Sequence, residues 1–289
     1  MAANERLRGQ IIETLKRNRD GSHATRSNRE SILIKICSDL KAAGYNQVTP
    51  KNFGNKHFYI LRDYWKKEGK NIGTIKNRFA VLRWFAEKIG KTNTPSNKDL
   101  ELENRVYSDN SKNKAREIDF SKLENLTIRQ QYAIMLQRYF GLRREESLKF
   151  NPVYADKSDH IKLKGSWTKG GRPRTIPIIN KNQRLILDSV RDLVGNNSLI
   201  EKEKTYVQDL NNFTTRFNRA GLKNMHGYRH KYAQERYKTL TGRECPKAGG
   251  LTSKQLSPEQ KKQDFNARMI ISEELGHGRE EITVQYLGR

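Results

Sequence analysis

Residues 275–289 of this 289-residue chain read LGHGREEITVQYLGR, and this stretch decides how the rest is interpreted. His277 lies between two glycines, and Tyr286 follows nine positions later. A free tyrosine has a pKa of about 10, so its hydroxyl is a useful nucleophile at neutral pH only beside hydrogen-bond donors and a base. One histidine and one tyrosine are weak evidence alone, since a lone tyrosine usually packs in the core. A catalytic role for them therefore depends on whether hydrogen-bond donors and a base occur earlier in the sequence.

Three upstream stretches supply such partners. They are GLRREES at 141–147, TKGGRPRTIPI at 168–178 and HGYRHKYA at 226–233. They contribute Arg143 after a helix-ending glycine, Lys169 in a glycine-rich turn, and His226 with Arg229 three positions on. Each of these four would be interpreted as an ordinary surface residue if it occurred alone.

A zinc site can be tested on the two histidines of the third stretch. His226 and His230 lie four apart, which places two imidazoles on one helix face. A zinc protease of that kind has Glu directly after the first histidine, whereas this chain has Gly227. The sequence offers no Cys or carboxylate cluster for the remaining ligands, and it has no phosphate-cradling P-loop. We therefore expect no metal and no cofactor. We interpret His230 as a structural residue or as one that lies beside a bound phosphate.

Taken in order, the four stretches resemble the catalytic domain of the tyrosine recombinases, also called the phage integrase family. The first region resembles the core-binding domain of that family in position and helical character. The resemblance implies a mainly α fold with a small antiparallel β-sheet. A helical core-binding domain and an α+β catalytic domain would form a C-shaped DNA clamp. The segments KAGGLTSKQLSPEQ, ELGHGREEIT and YLGR look like a subgroup of integrases from bacterial genomic islands and conjugative elements.

The resemblance also implies catalytic roles. Tyr286 would be the nucleophile, holding the cut DNA as a 3′-phosphotyrosyl intermediate without a metal. Arg143 and Arg229 would clamp the non-bridging phosphate oxygens, for which planar guanidinium groups are suited, and His277 would add a donor. His226 would take the tyrosine proton.

Two further residues have competing neighbours. Lys169 would protonate the departing 5′-hydroxyl, although Lys162 and Lys164 on the preceding strand could be mistaken for it. Glu146, one helical turn after the first clamp arginine, would orient the clamp from behind. Glu145 beside it could be the inward-facing carboxylate instead.

Two features depart from the commonest family members. Arg229 and His277 are 48 residues apart, more than the resemblance leads us to expect. The excess, residues 240–264, is rich in Lys, Gly, Pro and Ser, and we interpret it as an inserted loop. This loop either contacts DNA or a neighbouring protomer or is simply solvated. The sequence also stops three residues after Tyr286, where members commonly carry a helix that docks on the next protomer. How protomers couple is therefore left open.

Charge points to a polyanion as the partner. The chain has 57 Lys and Arg against 32 Asp and Glu, a net charge of +25. The excess is +11 in residues 1–105 and +14 in residues 106–289, so both halves are basic. This distribution favours binding along a phosphate backbone. With the resemblance, it implies double-stranded DNA with specific recombination sites, a homotetramer on that DNA, and accessory directionality or DNA-bending proteins.

Other classes of protein are disfavoured. No apolar stretch approaches the ~18 residues of a membrane span, and the first ten residues contain no apolar signal segment. Cys37 and Cys245 form no disulfide or metal pattern. We therefore expect no membrane partner and a bacterial cytoplasmic protein that is nucleoid-associated when bound to DNA.

Apolar periodicity divides the chain into a helical core-binding domain (1–100), a polar linker (101–116) and a catalytic domain (117–289). Helices are predicted at 22–43, 54–68 and 71–89 in the first domain, with their aromatic residues in its core. In the second domain they are predicted at 123–140, near 143, at 182–193, at 207–220, after 226 and at 265–275. A β-hairpin is predicted within 160–179.

Two alternative functions share these features. A type IB topoisomerase uses the same chemistry but relaxes supercoils without site preference. A non-catalytic DNA-binding regulator could retain the fold. We favour a site-specific recombinase that integrates or excises a mobile element, because the ordered set of Arg, Lys, His and Tyr is intact.

Overall fold

The computed structural model describes residues 3–106 and 108–289, so Met1, Ala2 and Tyr107 of the predicted linker lie outside it. Over the described residues it consists mainly of α-helices with one two-stranded antiparallel sheet, as predicted for the fold class. The chain divides into two compact units between Val106 and Tyr107. In neither described range is a helix both long and apolar enough to cross a bilayer.

The described part of the first unit contains four helices. They are α1 (Ala3–Arg17), α2 (His23–Ala42), α3 (Asn55–Lys67) and α4 (Ile72–Lys88). The last three are confirmed to within one residue at each end. The sequence does not predict α1, because its buried side has few large apolar residues to reveal a helical period. Leu7 and Ile11, one turn apart, supply most of its contact with the core.

Local capping explains where these helices begin and end. The Ser22 side chain accepts the backbone N–H of Thr25 at the start of α2, and Asn71 accepts that of Gly73 at the start of α4. Gly90, just after α4, has a φ of 78°, a conformation that glycine adopts without strain. Asn71 and Gly90 therefore mark the two ends of α4.

The phenylalanines and Trp65 of this unit lie in its core, as predicted, whereas Tyr45 and Tyr59 are exposed. Phe58, Phe79 and Trp65 are fully buried, and the Trp65 and Phe79 ring centroids are 5.0 Å apart. The Trp65 Nε1–H donates to buried Asp39 at 2.8 Å, which satisfies the one polar atom of the indole. These rings are therefore not available to stack on bases.

The second unit surrounds a separate hydrophobic core. Its helices are α5 (Phe120–Leu123), α6 (Ile128–Phe140), α7 (Arg144–Leu148), α8 (Pro152–Ala155), α9 (Lys181–Val194), α10 (Tyr206–Arg219), α11 (Gly227–Thr241), α12 (Pro258–Glu274) and α13 (Val284–Leu287). Short 3₁₀ turns cover Gly165–Trp167, Pro246–Ala248 and Glu280–Thr283.

The predicted hairpin is confirmed between α8 and α9. Strand β1 (His160–Leu163) pairs antiparallel with β2 (Arg174–Pro177), and Leu163 lies opposite Arg174. In β2 the buried positions are Arg174 and Ile176, so the strand turns an arginine as well as an isoleucine toward the interior. Lys169 lies in the loop between the strands.

The interpretation of residues 240–264 as an inserted loop is wrong for much of its length. Helix α12 begins at Pro258 rather than 265, because Ser257 and Gln260 form a reciprocal capping box ahead of it. The 3₁₀ turn Pro246–Ala248 and Leu256 are largely buried. These residues pack on the second unit, whereas Leu251 and Lys254 between them are exposed.

Candidate active site

Four elements of the second unit bring the sequence-predicted residues together. Arg143 occupies the N-cap position of α7, and Arg229 lies in the first turn of α11. His277 follows the end of α12, and Tyr286 lies on the single turn of α13. Side-chain contacts link Arg229, His277 and Tyr286, and Arg143 donates to the same Leu275 carbonyl as Arg229.

Arg229 is the centre of the cluster, with only 1% of its surface exposed. Its two terminal nitrogens donate to the carbonyl oxygens of Gly141 and Leu275, and its Nε lies 3.3 Å from the Tyr286 hydroxyl. Burial lowers the pKa of Arg229 to about 10, so the guanidinium stays charged at pH 7. The fork thus holds a fixed positive charge beside the candidate nucleophile.

Gly141 allows this close approach. It ends α6 with a φ of 62°, in the left-handed region, and its carbonyl oxygen accepts from Arg229. A Cβ at this position would lie 2.5 Å from the Tyr232 ring and 3.0 Å from Leu275. A larger residue would therefore push apart two elements that hold the site.

A buried carboxylate orients the other arginine. Glu146, which is fully buried, accepts from the Arg143 backbone N–H at 2.6 Å and from its side chain at 2.8 Å. Arg174 donates to both Glu146 oxygens, at 2.7 and 2.6 Å. Glu145 points outward and pairs with Lys149. The structure therefore places Glu146, and not Glu145, against the Arg143 side chain.

The electrostatics of this cluster favour an anion. Burial alone would raise the pKa of Glu146, but the hydrogen bonds and charge of Arg174, then the charges of Arg229 and Arg143, bring it down to about 2. One carboxylate thus faces three guanidinium groups, and the excess positive charge lies on the side of Tyr286. Preorganised charge of this kind stabilises an oxyanion without reorganisation.

Arg174 and two carbonyl groups are functional elements that sequence reasoning missed. The Leu275 carbonyl accepts from both clamp residues, Arg143 and Arg229, and the Glu274 carbonyl accepts from Arg174 at 2.8 Å. The C-terminus of α12 therefore fixes all three arginines. Alternation in β2 could have revealed Arg174, because it shares a face with Ile176.

The Tyr286 hydroxyl faces His277 in this state. The ring centroids of His226 and His277 are each 5.9 Å from that of Tyr286, and His277 Nε2 lies 3.1 Å from the Tyr286 oxygen. Burial, followed by the charges of Arg229 and Arg143, lowers the pKa of His277 to about 4. Both histidines are therefore neutral at pH 7, since the same causes lower the pKa of His226 to about 4.

His230 packs against the candidate nucleophile, Tyr286, rather than facing the solvent. Its ring centroid is 4.7 Å from that of Tyr286, and its Nδ1 has no hydrogen-bond partner among the described residues. Within residues 3–106 and 108–289, no three His, Cys, Asp or Glu side chains are arranged to hold a metal ion. His230 thus serves as part of the support for Tyr286.

Lys169 is not joined to the other site residues. It is exposed in the hairpin loop and has no hydrogen bond or ion pair with any residue that the structure describes. Lys164 instead lies 4.8 Å from the Tyr154 ring centroid, and Lys162 points outward from β1. Of the three lysines, Lys169 is the one that lies on the hairpin loop.

Burial of His230 predicts acid sensitivity. Burial, then the charges of His226 and Lys247, lowers its pKa to about 3, against about 6.5 in an unfolded chain. The unfolded chain therefore takes up this proton first, and the free energy of unfolding falls as pH drops below 6.5. We expect His230 to contribute about 1–2 kcal/mol of loss between pH 7 and pH 5. Urea unfolding at both pH values should show a smaller loss for His230→Gln; an equal loss would contradict the assignment.

Removing the Glu146 carboxylate should destabilise the second unit. Glu146→Ala leaves Arg174 buried without its partner, so we expect about 3–5 kcal/mol less free energy of unfolding. Adding Arg174→Met should recover part of this loss, because the unpaired charge is then gone. Glu145→Ala, which breaks an exposed pair, is the matched control and should cost less than about 1 kcal/mol. Urea denaturation measures all three, and equal losses for the two glutamates would refute the assignment.

Comparisons with known proteins agree on one group. The family model described as "Integrase" matches residues 110–235, and the model "Phage integrase, N-terminal" matches residues 5–94. A search of curated proteins finds no match.

Solved structures with the same fold are integrases and recombinases bound to DNA. A lambda integrase dimer on a COC′ core site has a TM-score of 0.64 and 15% identity over 97% of this chain and 76% of that chain. The Tn1549 transposon integrase with circular intermediate DNA has a TM-score of 0.57 and 14% identity over 98% of this chain and 95% of that chain. XerH recombinase on its difH substrate has a TM-score of 0.56 and 18% identity over 96% of this chain and 80% of that chain. At these identities the likeness establishes the fold.

Proposed function

Since the chain belongs to the tyrosine recombinase, or phage integrase, family, we propose that it cuts and rejoins duplex DNA at specific sites through Tyr286. The observation that carries the proposal is the cluster itself. The Tyr286 hydroxyl lies within hydrogen-bond distance of a fully buried arginine and a neutral histidine. A third group, Arg143, is tied to the same Leu275 carbonyl as Arg229.

The reaction is a transesterification that conserves the number of phosphate ester bonds. The Tyr286 oxygen attacks the phosphorus, a tyrosyl–phosphate bond forms, and the bond to the 5′-oxygen breaks. Arg143 and Arg229 donate to the non-bridging oxygens, where negative charge grows. Lys169, on the exposed hairpin loop, gives a proton to the departing 5′-oxygen. Rejoining reverses each transfer.

The tyrosine proton has two possible acceptors in this site. One is His277, whose Nε2 lies 3.1 Å from the Tyr286 hydroxyl. When a phosphate enters between the arginines, we propose that His277 turns its donor to a phosphate oxygen. His226, which is neutral at pH 7 because its pKa is about 4, then takes the tyrosine proton.

The biological setting is a finer part of the same proposal. A lambda integrase tetramer on a Holliday junction and the Tn1549 integrase on circular intermediate DNA share this fold. By analogy, we propose that this chain acts in the cytoplasm as a homotetramer on paired DNA sites, to integrate or excise a mobile element. Its net charge of +25 supports affinity for the backbone of such DNA.

Covalent trapping tests the proposal. Fragments of the DNA that flanks the gene are first screened for a bound duplex, and a nick is then placed near its centre so that the short cleaved piece diffuses away. Incubation in EDTA should give a protein–DNA adduct that survives denaturant, and peptide mass spectrometry should place it on Tyr286. A bound duplex without any adduct would instead support a regulator without catalysis.

A further inference from the structure

The segment that carries the candidate nucleophile is too short to be stable without contacts to other parts of the chain. Residues 284–289, here called the nucleophile segment, contain one turn of helix, α13. A single turn is too short to be stable alone, because its nucleation cost exceeds the gain from its few hydrogen bonds. The position of Tyr286 must therefore depend on other parts of the chain.

One such part is the segment that sequence reasoning interpreted as a loop. Lys247, in the 3₁₀ turn Pro246–Ala248, is only 7% exposed, and its Nζ donates to the Gln285 carbonyl oxygen at 2.7 Å. A Cβ on Gly288 would lie 3.1 Å from the Lys247 side chain, so the two segments are closely packed. The charged group of this buried lysine therefore pairs with a backbone carbonyl beside Tyr286.

A second part is the stretch just after the division between the two units. The Ser108 hydroxyl donates to the Val284 carbonyl at 2.9 Å. Asn110 donates to the Arg289 carbonyl at 2.7 Å and accepts the Arg289 backbone N–H at 3.2 Å. Both ends of the nucleophile segment are therefore attached to this stretch.

Helix α11 supplies the third part. Gln234 Nε2 donates to the Tyr286 carbonyl at 3.1 Å, and Asn113 exchanges hydrogen bonds with Gln234 at 2.9 and 3.3 Å. Three successive carbonyls, of residues 284, 285 and 286, thus each accept from a side chain of a different segment. Such backbone bonds hold the segment whatever its side chains are.

We propose that Lys247, Ser108 and Asn110 are positioning residues that dock the nucleophile segment so that Tyr286 faces Arg229 and His277 of its own chain. This inference rests on the proposed function and assigns the 240–264 segment a role in the cleavage step rather than in DNA affinity. Loss of one anchor lowers the docked fraction and slows attack.

Single-turnover cleavage of the nicked duplex separates these roles. Lys247→Met should slow adduct formation at saturating protein about ten-fold, because it removes a buried charge-assisted hydrogen bond. Asn110→Asp, at an exposed position, should slow it a few-fold. The DNA Kd should stay within two-fold in both. Lys254→Met, which removes the same charge from an exposed site in the same segment, is the matched control and should cleave like the unmodified chain.

Hydrogen exchange without DNA provides an independent readout. Peptides covering the nucleophile segment should exchange faster in Lys247→Met, and peptides from the first unit should not change. A folded Lys247→Met chain that cleaves at the unmodified rate, or that is slow only because DNA binds less tightly, would overturn the proposal. If Lys247→Met does not fold, Asn110→Asp decides the matter by the same criteria. If the unmodified chain forms no adduct, the proposed function fails, while the exchange comparison still tests docking.

Discussion

Tyr286→Phe should abolish the covalent adduct while leaving DNA binding intact. The substitution removes only the hydroxyl, which is the sole atom that forms the new bond to phosphorus. The ring, 97% buried against His230, keeps its packing. Loss of the hydrogen bonds to Arg229 and His277 should change the free energy of unfolding by no more than about 1.5 kcal/mol. We therefore expect cleavage to fall more than about 10⁴-fold at an unchanged DNA Kd.

A second buried tyrosine of the same unit provides the control. Tyr237 donates its hydroxyl to Asp264 at 2.6 Å and contacts neither clamp arginine in the described structure. Tyr237→Phe should lose a similar hydrogen bond yet form the adduct at a near-normal rate. Denaturing gels of radiolabelled nicked duplex measure both variants. An adduct that persists in Tyr286→Phe would show that another residue is the nucleophile.

Much of the fold could be predicted because its signals are local. Helices α2 to α4 follow from apolar period and caps, and the hairpin follows from alternation around a glycine-rich turn. The failures occur where local signals are weak or mislead. Helix α1 has few large buried apolar residues, and the polar composition of 240–264 conceals a packed turn and the first turns of α12.

In the site, the side chains could be predicted from the sequence, whereas the backbone groups that hold them could not. The four motifs predict Arg143, Arg229, His277 and Tyr286; in the structure the last three lie within hydrogen-bond distance of one another, and Arg143 shares the Leu275 carbonyl with Arg229. The acceptors that fix them are carbonyl oxygens, such as those of Gly141 and Leu275. Every residue has a carbonyl, so no sequence pattern marks the ones that matter.

This dependence on carbonyl acceptors explains why Arg229 should be hard to replace even by lysine. Its three nitrogens contact two carbonyls, the Tyr286 hydroxyl and His277 Nε2. A lysine carries one compact ammonium group that cannot span these partners at once. Arg229→Lys keeps the positive charge and still loses the planar fork that aligns the nucleophile with a phosphate oxygen. We expect cleavage to slow about 10²–10³-fold.

The affinity for DNA should respond much less to this change. Arg229 is 99% buried, and its net charge is retained, so the long-range attraction for the backbone persists. Arg236→Lys, two turns along the same helix, is the matched control, because Arg236 pairs with the Glu274 carboxylate and has no hydrogen bond to Tyr286 in the described structure. That variant should cleave within about three-fold of the unmodified chain. Single-turnover rates at saturating protein separate the two cases, since they report attack rather than binding. A rate for Arg229→Lys within ten-fold of normal would mean that charge alone, without the fork, stabilises the transition state.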